Sequence, residues 1–347
     1  MRIIRIAALV SLALSVGQQS SAQSLTPQLS LFERYLESLR DQAAIPGMSA
    51  AVVQGGRVVW EKGFGLQNIE RVIAARADTP YPVSDLSQTF AATVLLQQCV
   101  DRGNLEVSDT VRRWLSQYPD RQITVRQVLT HESPTGSYKY DPSRYDDLGG
   151  VVDQCANGKY PAKLTAEVFN RFGMKNTVPG EDLANSSSPD RKLYAPEDLA
   201  AYVDVLGRVA TPYKVDSRGK AAATSYTGHA LTASSGVVST VQDLARFDGS
   251  LTVLLAPDTR NAAWNRAADS VPTGLGWFVQ TYNGERLVWH FGVAKDAYSS
   301  LILKVPEKDL TFILLANSDG LSAPYSLEKG DVTKSLFAQV FLKLFLP

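Results

Sequence analysis

The sequence predicts an α+β fold: an antiparallel sheet flanked by helices, with an all-helical domain inserted between its two parts. Three observations carry this. Two β-rich runs, 48–53 and 57–64, surround Gly55-Gly56 and read as a hairpin. Late in the chain, runs 276–281 and 286–290 flank Tyr282-Asn283-Gly284-Glu285, an Asn-Gly hairpin turn, and runs 299–305 and 310–316 flank Pro306-Glu307-Lys308-Asp309. Between these sets, from about 104 to 225, helix signals and short loops dominate.

The elements follow in order. Residues 28–41 carry Leu29, Leu31, Phe32, Tyr35, Leu36 and Leu39 near helical spacing, so an amphipathic helix precedes the first hairpin. Residues 89–101 are apolar on most faces, which predicts a buried helix stopped by Gly103. Short helices are expected over 124–129, 145–154 and 164–172, and an exposed loop over 181–192. Pro196 opens a helix through 206, at a position helices tolerate. Thr240-Val241-Gln242-Asp243 resembles a capping box before a helix over 244–251, and an amphipathic helix over 332–345 closes the chain. The expected domains are 23–80 with 226–347 for the α/β part and 81–225 for the helical part.

The chain has 347 residues, 44% of them hydrophobic, enough for a sizeable core. Its 35 basic residues balance its 35 acidic ones, so neither a nucleic-acid surface nor an acidic tail is indicated. Residues 1–22 read as an export signal: Arg2 and Arg5, a short apolar run over 6–16, then Ser20-Ser21-Ala22. No Cys follows the run, so a lipid anchor is not expected, and no later stretch is apolar enough to span a bilayer. The expected location is periplasmic or secreted. Cys99 and Cys155 are the two cysteines; an oxidising compartment would permit one disulfide, but the expectation is two buried, unpaired thiols. Two Cys and the scattered His131, His229 and His290 give no metal-ligand spacing, and no cofactor is expected.

Several stretches in fixed order carry a family resemblance. These are Ile45-Pro46-Gly47-Met48-Ser49 with Gly63-Phe64-Gly65, Thr124 to His131, Phe172 to Thr177, Gly236 to Phe247, Thr273 to Trp277, and Asn317 to Gly320. Together they resemble the class C β-lactamase and low-molecular-weight penicillin-binding family over nearly all the mature chain. The resemblance implies a β-lactamase/transpeptidase-like fold with an active site between the two domains. It also implies acyl transfer through a Ser ester, activated by Lys one helical turn on.

The motifs depart from that pattern. Where the resemblance places the nucleophilic Ser and its Lys, this chain has Asp85 and Gln88. Asp85 cannot form the usual acyl ester and Gln88 has no titratable proton. Asp85 with Gln88 three residues on reads instead as a capping box that stabilises a helix start. Ser84 and Ser87 lie beside the lost nucleophile without a Lys at the required spacing; Lys139 and Lys295 are the lysines within reach in principle, though a solvated surface role suits both. The second motif, Tyr-x-Asn, is met by Tyr140-Asp141-Pro142, which keeps the Tyr and loses the amide; Tyr145-Asp146-Asp147 is a weaker register. The third is met by His290-Phe291-Gly292. Gly292 would let a substrate approach the strand edge, and His290 either orients a bound carboxylate or is a half-buried strand residue. By resemblance the backbone N–H groups of Asp85 and Val293 form the oxyanion hole.

Two further Ser-x-x-Lys matches, at Ser217 and Ser326, do not open an apolar helix. The expectation is therefore an exported, catalytically impaired protein with a cleft for a small-molecule, peptidoglycan-derived or other acyl ligand. The alternative is an active esterase or amidase that uses Ser84 or Ser87. No protein partner is indicated.

Overall fold

The computed structural model describes residues 19–226 and 230–347. The segment read as an export signal lies outside them except for its last four residues, and so does His229. A seven-stranded antiparallel sheet forms the centre. Its strands are β1 (Gly47–Gln54), β2 (Arg57–Asn68), β3 (Ile73–Ala74), β4 (Phe278–Tyr282), β5 (Glu285–Ala294), β6 (Tyr298–Val305) and β7 (Leu310–Ala316). The spatial order is β3-β2-β1-β7-β6-β5-β4. The two ends of the chain meet where β1 pairs with β7, from Met48 opposite Ala316 to Gln54 opposite Leu310.

The main helices are α1 (Gln19–Gln42), α2 (Ser87–Leu95), α3 (Val125–Leu129), α4 (Asp147–Cys155), α5 (Pro196–Leu206), α6 (Val241–Leu254) and α7 (Leu336–Phe345). Successive strand residues point to opposite faces, and both faces are covered. Ala50, Val52, Leu301, Leu303, Phe312 and Leu314 pack with Phe32 and Leu36 of α1 and Phe341 of α7. Ala51, Val53, Ile302, Ile313 and Leu315 share the other core with α2 and α6. A sheet buried on both sides explains why its central strands read as unbroken apolar runs.

Side-chain caps set several helix starts. Thr124 and Gln127 form a reciprocal capping box at α3, Thr240 accepts the Asp243 N–H at α6, and Ser335 accepts the Ala338 N–H at α7. The last cap explains why the closing helix begins at Leu336 rather than at 332. The segment expected as an exposed loop over 181–192 contains two 3₁₀ turns and buries Leu183.

Two expectations are corrected. Asp85 does not cap α2. It lies inside a 3₁₀ turn, Ser84–Leu86, and the cap position falls on Leu86, with no side-chain cap. The Asp85 and Gln88 side chains are drawn off the helix end by partners far along the chain. Cys99 and Cys155 are bonded to each other, with Cα atoms 5.6 Å apart, and there are no free thiols. The disulfide ties the end of the α2 segment to the end of α4.

Candidate functional site

The site is built where the turn before α2 presses on the edge of β5. Ser84 adopts φ +52°, which turns the chain sharply. The Val83 carbonyl then accepts a bond from Ser300 Oγ at 2.8 Å. Gly292 allows this approach: a Cβ there would lie 2.1 Å from the Val83 oxygen and 2.5 Å from Ser300 Oγ. The space where a Gly292 side chain would sit is thus taken by the protein's own turn.

That contact delivers the Asp85 side chain to β5. The backbone N–H of Val293 donates to Asp85 Oδ2 at 3.4 Å, a long bond. The backbone N–H of Asp85 itself also stabilises the carboxylate. The Val293 donor expected in an oxyanion hole therefore points at the carboxyl group of Asp85, and the Asp85 N–H favours the charged form of the same group. Burial above all, with a contribution from Asp146, pushes this acid up to about 7 against the pull of the two N–H groups. Asp85 still keeps some accessible surface.

Gln88 lies one helical turn on and is buried. Its Nε2 donates to the Tyr140 hydroxyl at 3.2 Å, and its Oε1 lies 2.8 Å from His131 Nε2. The Asp141 N–H donates to His131 Nδ1 at 3.1 Å. An imidazole that accepts at Nδ1 carries its proton on Nε2, so His131 donates to Gln88 and is neutral. Burial agrees, pulling His131 down to about 3. Tyr145, in the weaker register of the second motif, donates to the Gln88 carbonyl at 3.3 Å. His131 stacks between Tyr140 and Tyr145, with centroids 4.4 and 5.3 Å away. Burial raises the Tyr140 phenol well above its ordinary range. Pro142 opens a helical turn, Pro142–Tyr145, which Asp141 caps through the Arg144 N–H.

His290 is buried, and its Nδ1 donates to the Phe291 carbonyl at 2.7 Å. Burial pulls it down to about 4, so it offers no positive charge at neutral pH. Ser87 is fully buried and accepts the Val237 N–H at 3.2 Å. The Ser84 hydroxyl is buried near Tyr226. Lys139 and Lys295 are exposed, as are Ser217 and Ser326. No group of His, Cys, Asp and Glu among the described residues could hold a metal ion. No described helix is long and apolar enough to cross a membrane.

His131 is the site residue that the motif reading did not single out. It closes the segment 124–131 and sits at φ +55°, but its partner Gln88 is 43 residues away. The one available signal was its position at the end of a family-like stretch.

Fold and site define a β-lactamase and penicillin-binding-like serine hydrolase scaffold. Residues 32–329 match the family described as Beta-lactamase, and the chain belongs to it. Among curated proteins it is similar to Protein flp of Staphylococcus aureus (strain MW2), with 20% identity over 82% of this chain and 62% of that protein. It thus spans about 62% of the length of that relative. Among solved structures it resembles the octameric penicillin-binding protein homologue from Pyrococcus abyssi. That match has TM-score 0.72 and 18% identity, over 91% of this chain and 77% of that one. It also resembles the D-amino acid amidase from Ochrobactrum anthropi SV3, with TM-score 0.69 and 17% identity, over 92% and 99%. At such identities these structures speak for the fold alone.

Proposed function

We propose that this chain is an exported, catalytically silent member of its family that retains a ligand-binding cleft. One observation carries the reading. At the position where the family resemblance expects a nucleophilic Ser, Asp85 places its carboxylate on the Val293 N–H. A carboxylate there cannot form the usual acyl-enzyme ester, and it occupies a donor that would stabilise a tetrahedral oxyanion. Loss of a nucleophile lowers the rate by on the order of 10⁶ in serine proteases. Gln88, in the place of the base, is held between His131 and Tyr140 and has no titratable group with which to take up a proton.

The neighbouring serines support the same reading. Ser87 is committed to a backbone bond, and the Ser84 hydroxyl is bonded to Tyr226 rather than to a lysine. The test is turnover of a chromogenic cephalosporin and of p-nitrophenyl acetate by the purified mature chain. No turnover above buffer is expected. Ester turnover that disappears in Ser84→Ala or Ser87→Ala would overturn the proposal.

A further inference from the structure

We propose that the cleft is a receptor for a primary ammonium group, held by the Asp85 carboxylate beside the Tyr140 ring. This rests on the reading of the cleft as a binding site without turnover.

The protein pairs its fully buried acids with cations. Among the described residues, three acids are buried outright, and each holds a cation. Glu132 bonds Arg126 at 3.0 Å, Asp243 bonds Arg246 at 2.6 Å, and Asp248 pairs with Lys304. Such pairing is what burial of a charge demands. Asp85 departs from the pattern. Its partners are backbone N–H groups, one of them long, and the charge acting most on it is another acid, Asp146. A carboxylate can accept about four hydrogen bonds, so acceptor capacity is left over on a residue that keeps some surface open.

The surroundings decide the sign of what fits. His131 and His290 lie near each other and are both uncharged, so neither supplies a cation. Tyr140, which feels the Asp85 charge, is half-buried, and its ring lies 5.6 Å from Phe291 and 4.4 Å from His131, so the groups around the acid are aromatic. Aromatic faces attract cations. An anionic ligand would meet like charge and find the Val293 donor already engaged. An ammonium group instead meets a carboxylate for a charge-assisted bond, with aromatic rings nearby. Its binding also offsets the desolvation that now holds the Asp85 carboxyl high.

The ammonium could be the α-amine of an amino-acid derivative or the end of an alkylamine side chain, and the probes separate the two. The mature chain is titrated at pH 8 by calorimetry with glycinamide, with n-propylamine and with N-acetylglycinamide. At least one free amine should bind; glycinamide alone marks an α-amine, propylamine alone a side chain. N-acetylglycinamide should not bind. Asp85→Asn should weaken amine binding by about tenfold or more, the scale of one lost charge-assisted bond. Asp85→Ser, with a small neutral side chain in place of the acid, serves as a second variant; a thermal melt confirms that each variant is folded. The inference is overturned if no free amine binds the folded wild type. It is equally overturned if the acetylated probe binds as well, or if a folded neutral variant binds amines like the wild type. Penicillin labelling on the same sample separates the two failures: an adduct overturns catalytic silence, whereas absent amine binding without an adduct overturns only this inference.

Discussion

Asp85 Oδ2 accepts the backbone N–H of Val293 from 208 residues further along the chain. The chain thus places its own acid on a donor that an acylating ligand's carbonyl oxygen would need. This contact couples the helix start to the sheet edge, and its cost depends on pH.

Neutralising the acid should stabilise the protein at alkaline pH. The Asp85 carboxyl titrates near 7 in the fold, against 3.8 for an ordinary aspartate. A raised acid lends stability below about pH 4, and that stability is lost as pH climbs through 7. Asp85→Asn removes the loss, worth at most about 4 kcal/mol. Denaturation curves should show a gain at pH 8 that shrinks toward zero at pH 4. A gain equal at both pH values would contradict the assignment.

The two buried histidines act with the opposite sign. His131 and His290 are depressed to about 3 and about 4 by burial. Below the unfolded value of 6.5 the unfolded chain binds protons that the fold refuses, so stability falls as pH drops from 6.5 toward 4. His290→Gln should flatten that acid limb in a stability–pH profile, and an unchanged limb would show that His290 is protonated in the fold.

Lys304 and Asp248 form an enclosed ion pair, completed by a bond from Thr311 Oγ1 to Asp248 at 2.9 Å. Lys304→Ala leaves a buried carboxylate without its cation and should cost about 3–5 kcal/mol in urea denaturation. Lys304→Met combined with Asp248→Leu should cost much less, because both charges leave together. Equal losses for the single and double variants would contradict this.

The Cys99–Cys155 bond closes a loop of 56 residues and joins the segments that present Gln88 and Tyr145. A loop of that length corresponds to about 4 kcal/mol in the chain-entropy account. Cys99→Ala with Cys155→Ala should lower the melting temperature, and dithiothreitol should then have no further effect. A melt of the wild type unchanged by reduction would mean the bond contributes nothing.

The sheet was legible because its signals are local. Asn283 and Gly284 both take positive φ, as the Asn-Gly turn requires, and apolar runs marked the strands around it. The site was legible only in position. Asp85 and Gln88 carry a capping-box pattern that is sound over four residues, yet their side chains are claimed by Val293 and by Tyr140, 208 and 52 residues away. Gly292 was rightly suspect as a close approach, but what approaches is the Val83 carbonyl. The disulfide was missed for the same reason, since nothing local brings α4 against the end of the α2 segment.

The most direct measurement is labelling by a fluorescent penicillin, run side by side on the mature chain and on the Asp85→Ser, Gln88→Lys double variant and read by mass spectrometry. The account predicts no adduct on the natural chain and a serine adduct at position 85 in the double variant. An adduct on a serine of the natural chain would contradict it.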